Sequence, residues 1–124
     1  MKWEITINVE QKYVEIITRG NADGEGSLKM AKAIAETMRQ NKITKALIDH
    51  SHVDSVSGHV VDVYQRPKIF KLIGVILGIK IAEIIKPEHR AHFKFFETVC
   101  LNQGYNLSVF HDRDSAMNWL LGKV

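Results

Sequence analysis

Residues 79 to 120 read IKIAEIIKPEHRAHFKFFETVCLNQGYNLSVFHDRDSAMNWL, and the hydrophobic period changes three times along them, with a break signal at each change. IKIAEII, 79–85, is a short apolar run of strand type. Pro87 is well placed as the first residue of a helix, where its missing amide and fixed φ cost nothing. Phe93, Phe96, Val99 and Cys100 then share one helical face, and Gly104 is a good terminator. YNLSVF, 105–110, is the next strand. Asp112 stands as N-cap before a final helix in which Ala116, Trp119 and Leu120 point inward at i, i+3, i+4 spacing.

The same alternation extends upstream. KALIDH, 45–50, is a short strand with little polar alternation, as expected when both faces are covered. A helix starting at Ser57 or Gly58 carries Val60, Val61, Val63 and Tyr64, and Pro67 breaks or bends it. PKIFKLIGVIL, 67–77, is a candidate for a second short helix. Leu28, Ala31, Ile34, Ala35 and Met38 mark an earlier helix, with Ser27 as the expected N-cap and Asn41–Lys42 as its end. Before it, Trp3, Ile5, Ile7 and Val9 alternate with polar residues, and Tyr13–Arg19 forms a second strand after the short link 10–12.

The resulting order, ββαβαβαβα, predicts a single α/β domain over 1–124. Its five-stranded, mostly parallel sheet has an antiparallel N-terminal strand, right-handed crossovers and helices packed on the sheet. A sequential strand order is the expectation.

Composition narrows the function classes. The chain has 45% hydrophobic and 25% charged residues, ordinary for a globular domain. Lys plus Arg number 17 against 14 Asp plus Glu, a formal charge of +3, and the basic residues are scattered rather than blocked. No nucleic-acid arm is indicated. One cysteine, Cys100, excludes an internal disulfide framework and suits a reducing compartment. MKWEITINVE lacks the apolar core of a signal peptide, and LIGVILGI (72–79) is far shorter than the ~18 residues of a membrane span. A soluble, cytoplasmic protein is the expectation.

KIAEII, 80–85, and the segment 89–120 resemble the C-terminal half of SpoIIAA-like, STAS-type domains. The resemblance rests on Ala82 in the penultimate strand, the aromatic-rich helix ending in Glu97–Gly104, and Val109, Phe110, Asp112, Ala116, Trp119 and Leu120 in matching places. KALIDHSHV, 45–53, resembles the strand and loop before the second helix of such domains. The resemblance implies a small α/β domain, usually without enzymatic activity. Related domains act as anti-sigma-factor antagonists, regulators and anion-transporter modules, and the related CRAL-TRIO domains bind hydrophobic ligands. The antagonists carry a phosphorylatable serine in an Asp-Ser-Ser-Gly motif. DSVSG, 54–58, matches that place, with Ser57 before Gly58, but Asp54 is displaced by one residue and Val56 replaces the first serine. That departure argues against a sigma-factor antagonist.

The densest chemistry lies in DHSHVDSVSGH, 49–59, with three histidines, two aspartates and three serines in eleven positions. It is expected at the carboxyl end of a strand, where parallel sheets bind ligands. Asp49, His50, His52, Asp54, Gly58 and His59, with His111 on the same edge, are the candidate ligand-binding residues. His50 and His52 with Asp49 or Asp54 form a weak metal pattern, and the plainer reading is a turn with its imidazoles in water. Ser57 is a candidate phosphosite, a dianion being favoured at a helix N-terminus, or simply an N-cap. NADGEG, 21–26, mimics the start of a calcium loop, but Lys32 occupies the position that needs a bidentate Glu, so calcium is excluded. A glycine-rich strand-to-helix turn remains. Cys100 lies on a core face with no activating neighbour in the sequence.

Ile69, Phe70, Ile73, Ile76 and Leu77 form an apolar stretch that either lies under the sheet or serves as an exposed interface, flanked by Lys68, Lys71 and Lys80. The expectation is therefore a non-enzymatic regulatory or ligand-binding module. It would form a homodimer through that stretch or take a lipid, another hydrophobic molecule or a protein partner. No catalytic residue, metal or cofactor is expected. The rival is a small enzyme or metal-binding protein using 49–59, which requires a histidine bonded to a nucleophile such as Ser57 and oriented by Asp49 or Asp54.

Overall fold

The computed structural model describes residues 1–56, 79–102 and 106–122. The strands are β1 (Lys2–Asn8), β2 (Tyr13–Ala22), β3 (Lys45–Val56), β4 (Lys80–Ile84) and β5 (Asn106–Phe110). The helices are α1 (Gly24–Asn41), α2 (Arg90–Asn102), entered through a 3-10 turn at Pro87–His89, and α3 (Arg113–Leu120). The strands form one sheet in the order β1-β2-β3-β4-β5, with β1 antiparallel to β2 and every other pair parallel. Both the mixed sheet and the sequential order agree with the sequence.

Period-two alternation along the inner strands splits the core into two layers. On one face Val14, Ile16, Ala46, Ile48, Ile81 and Leu107 pack against Met30, Ile34 and Met38 of α1, with Phe95 of α2 against the same cluster. On the other face Tyr13, Leu47, Ala82 and Ile84 meet Ala116 and Leu120 of α3. Each fully buried Val, Leu, Ile or Met side chain among these contributes about 1.5–3 kcal/mol. β1 carries a row of half-buried side chains, Trp3 and Ile5, at the rim of the first layer.

Local signals account for the ends of the elements. Asp23, not the expected Ser27, caps α1: its carboxylate accepts the Gly26 amide, so the helix starts a turn earlier and Ser27 lies inside it. The reason is reach, since the cap oxygen must meet an amide three residues on, and β2 runs to Ala22 and delivers Asp23 to that place. Lys42 closes α1 in the left-handed region at φ 54, as the Asn41–Lys42 ending predicted. Pro87 opens the turn into α2, and Asp112 caps α3 through the Ser115 amide at 2.7 Å, both as read from the sequence.

β3 departs from expectation. Residues 51 to 56, read as loop, continue the strand, because Val53, Ser55 and Val56 pair with Gly20, Asn21 and Ala22 of β2 and Val53 becomes fully buried. Cross-strand pairing and burial outweigh the turn preferences of Ser, Asp and His. The helix expected from Ser57, the bend at Pro67 and the apolar stretch Ile69, Phe70, Ile73, Ile76 and Leu77 lie outside the described residues, as do Gly58 and His59. The side chains of Leu28, Phe96, Val99 and Cys100 lie outside them too.

Candidate functional site

An irregularity in the β2–β3 ladder creates the site. Ile17 pairs with Asp49 and Arg19 pairs with His52, so one β2 residue, Thr18, faces two β3 residues, His50 and Ser51. In a regular strand His50 and His52 project to the same face. The extra residue reverses the alternation, as a β-bulge does. His50 therefore turns inward beside Thr18, and His52 turns outward beside Arg19. This corrects the reading of both imidazoles as solvent-facing: His52 is exposed, but His50 is 3% exposed. It also dismantles the His-x-His pattern as a chelating pair.

The inward side chains form a buried polar cluster on β2, β3 and β4. Thr18 Oγ1 lies 2.7 Å from His50 Nδ1 and donates to the Asp49 carbonyl at 3.2 Å, so its oxygen is left to accept the Nδ1–H. His50 Nε2 lies 3.8 Å from Glu83 Oε1. The ring of Phe93, from α2, stacks on the imidazole at 4.9 Å between centroids, and His92 meets Phe93 edge-on at 5.1 Å. Glu83 is buried and its Oε2 has no hydrogen-bond partner among the described residues. Hydroxyl, imidazole and carboxylate are the atom types of a nucleophilic site. Thr18, however, is 0% exposed. The cluster ties β2, β3, β4 and α2 together, and among the described residues it presents no reachable nucleophile.

The other candidate residues do not join it. Asp49 Oδ1 accepts the Ser51 amide at 2.9 Å and the Ser51 hydroxyl at 2.6 Å, the turn-type bonds anticipated from the sequence. Asp54 is exposed, and Ser55 donates to Asn21 Oδ1 at 2.8 Å. His111, also exposed, has Nδ1 3.5 Å from the Ile85 carbonyl. The rival enzyme arrangement required Asp49 or Asp54 to orient a histidine, and Asp49 is instead engaged with Ser51. Among the described residues no three His, Cys, Asp or Glu side chains come together to hold a metal ion.

Two charged groups flank this edge on the α3 face. The backbone and side-chain hydrogen bonds from Ser115, aided by His111, hold the Asp112 carboxyl below its ordinary value despite a small opposing effect of burial. Arg113 forms an ion pair with Glu15. Burial acts to lower the Arg113 pKa, but the hydrogen bond and charge of Glu15, with Tyr13 and Asp49, more than offset it and hold the guanidinium above its ordinary value.

Thr18 and Glu83 escaped the sequence reading. Thr18 sits in an apolar strand where threonine is unremarkable. Glu83 carried a signal, a carboxylate inside IAEII, a run too apolar for an exposed face.

Among solved structures, an uncharacterized DUF3478-family protein from Shewanella loihica PV-4, described as having a SpoIIAA-like fold, superposes with a TM-score of 0.62. The overlap covers 95% of this chain and 93% of that one at 20% identity. The fold is SpoIIAA-like. An anti-sigma factor antagonist from Mycobacterium paratuberculosis has the same SpoIIAA-like course, with TM-score 0.58, 13% identity, and 96% and 94% coverage. The anti-sigma factor antagonist SpoIIAA in its unphosphorylated form gives TM-score 0.54, 14% identity, and 98% and 99% coverage. At these identities the likeness is one of SpoIIAA-like fold alone. No protein-family model and no curated protein matches the chain. Among the described residues no helix is long and apolar enough to cross a membrane.

Proposed function

We propose that this chain is a non-enzymatic regulatory module of the cytoplasm that works by docking a protein partner. The observation that carries the reading is the end-to-end likeness of its fold to two anti-sigma factor antagonists. The buried Thr18–His50–Glu83 cluster supports it, since the Thr18 hydroxyl is 0% exposed and is engaged with His50 and the Asp49 carbonyl rather than offered to a substrate. In this reading the working edge follows β3, where Ser57, preceding Gly58, is the site at which a phosphate switches partner affinity. The altered motif around it, with Val56 in place of a serine, goes with a partner other than an anti-sigma factor.

Native mass spectrometry of the untagged protein, purified from its own cytosol without chelators, tests this. A stoichiometric complex with a second protein, lost in Ser57→Asp, supports the module and its switch. A lipid mass on an otherwise bare chain overturns it in favour of the hydrophobic-ligand reading, and a bound transition metal in favour of a metalloprotein. A doubled mass that the apolar stretch around Ile73 maintains would make the partner a second copy.

A further inference from the structure

The bulge that buries His50 has a second effect, on the opposite face of the sheet. Lys2 pairs directly with Arg19, and Arg19 pairs directly with His52. Residues opposed in register project to the same side, so three basic side chains stand in a row across β1, β2 and β3. All three are exposed, and among the described residues none has an ion pair or side-chain hydrogen bond. The like charges of Lys2 and Arg19 directly opposite one another are unfavourable. Among the other basic residues described, Lys45 and Lys80 are also opposed in register, but Lys80 is engaged with the Trp119 carbonyl and ring. Beside the row runs an open groove lined by Met1, Lys2, Trp3, Glu4, Ile17 and Arg19. Among the described residues, helix α3 packs on β3, β4 and β5, and none covers this end of the face.

We propose that the Lys2–Arg19–His52 row is a docking strip for an acidic segment of the partner protein, laid in extended form across the strands. The inference rests on the partner-docking function proposed above and supplies the chemistry of that partner. Adjacent strands are ~4.8 Å apart, so the row is about 10 Å long, whereas alternate side chains of an extended chain recur every ~7 Å. Two acidic residues at i and i+2 can therefore reach the Lys2–Arg19 pair and the Arg19–His52 pair together, which a single carboxylate cannot do. The next rung is Glu4–Ile17–Asp49, with carboxylates at its ends and an apolar centre. A broad anionic surface such as a bilayer meets repulsion from Glu4 and Asp49 there. A narrow chain confined to the basic row avoids both and can set an apolar side chain on Ile17.

The test is an NMR titration of the full chain at low salt with a blocked peptide whose core is Glu-Leu-Glu. Saturable shifts are expected at the amides of Lys2, Arg19 and His52, weakened by added salt. Arg19→Glu is expected to lower affinity by about tenfold or more, while Lys32→Glu, on exposed α1 surface, leaves it unchanged. Equal binding by Arg19→Glu, or shifts spread over all the lysines, overturns the strip. So does tighter, Arg19-dependent binding to vesicles containing anionic lipid. If a native protein complex forms and survives Arg19→Glu, the strip fails while the docking function stands. If no protein complex forms at all, the docking function itself fails.

Discussion

The Thr18 hydroxyl and His50 Nδ1 stand 2.7 Å apart and join β2 to β3 across 32 residues of sequence, with no access to water on the Thr18 side. A buried polar group without a partner costs about 1–3 kcal/mol. Thr18→Val keeps the shape and removes the hydroxyl, so it is expected to lose about that much stability in urea unfolding, while Thr18→Ser loses less. His50→Leu removes the imidazole from both Thr18 and Glu83. The double variant with Thr18→Val is expected to cost less than the sum of the singles, because the residues share one network. Additive losses would show that the 2.7 Å contact contributes nothing to stability.

Glu97 does a comparable task at the other side of the sheet. β5 is an outer strand, and the Val109 amide on its free side donates to Glu97 Oε2 at 2.6 Å. Oε1 of the same carboxylate accepts from Lys94 at 2.9 Å. Hydrogen bonds to charged groups contribute roughly 1.5–3 kcal/mol, and Glu97→Ala is expected to fall in that range. Lys94→Ala, at a partly exposed surface pair, should lose less than about 1 kcal/mol. Amide hydrogen exchange gives an independent readout: Val109 should exchange faster in Glu97→Ala and unchanged in Lys94→Ala.

The Asp112 cap predicts a sign for acid sensitivity. Its folded-state pKa is held below the ordinary 3.8 by Ser115. A carboxyl lowered on folding stabilises above its unfolded value, and that contribution is lost as pH falls through the folded value. Asp112→Asn still offers a capping oxygen but does not titrate. Melting temperature followed from neutral pH into acid should therefore fall less steeply for Asp112→Asn than for the parent chain below about pH 4. Parallel curves would show that the cap carries no charge-dependent stabilisation.

Gly26 in α1 tests packing against propensity. Alanine is favoured over glycine in a helix by about 1 kcal/mol. A β-carbon at Gly26 would lie 2.8 Å from Met1 Cβ and 2.9 Å from Asp23 Oδ1. The second contact is the cap oxygen itself, so Gly26→Ala displaces the N-cap as it adds propensity. A lower melting temperature is expected despite the better helix former, and a higher one would mean that Asp23 and Met1 give way freely.

The alternating periods of β1, the helical spacing of Ala31, Ile34, Ala35 and Met38, and the break signals at Pro87 and Asp112 were legible from the residues alone, because each depends on neighbours within a few positions. Element order, the antiparallel first strand and the α/β class followed from them. The strand-like behaviour of 51–56 was not legible, since it depends on β2, some 30 residues earlier in the chain, offering pairing partners. Nor was the fate of the two histidines. HSH reads as a pair on one face, but the register between Ile17 and Arg19 inserts an extra residue opposite Thr18, sending His50 into the core and His52 into water. The partners that give each histidine its meaning, Thr18 and Glu83 within and Arg19 and Lys2 without, come from three other strands. Side-chain chemistry and local period are properties of the chain, whereas which face a residue occupies beyond a bulge is a property of the pairing.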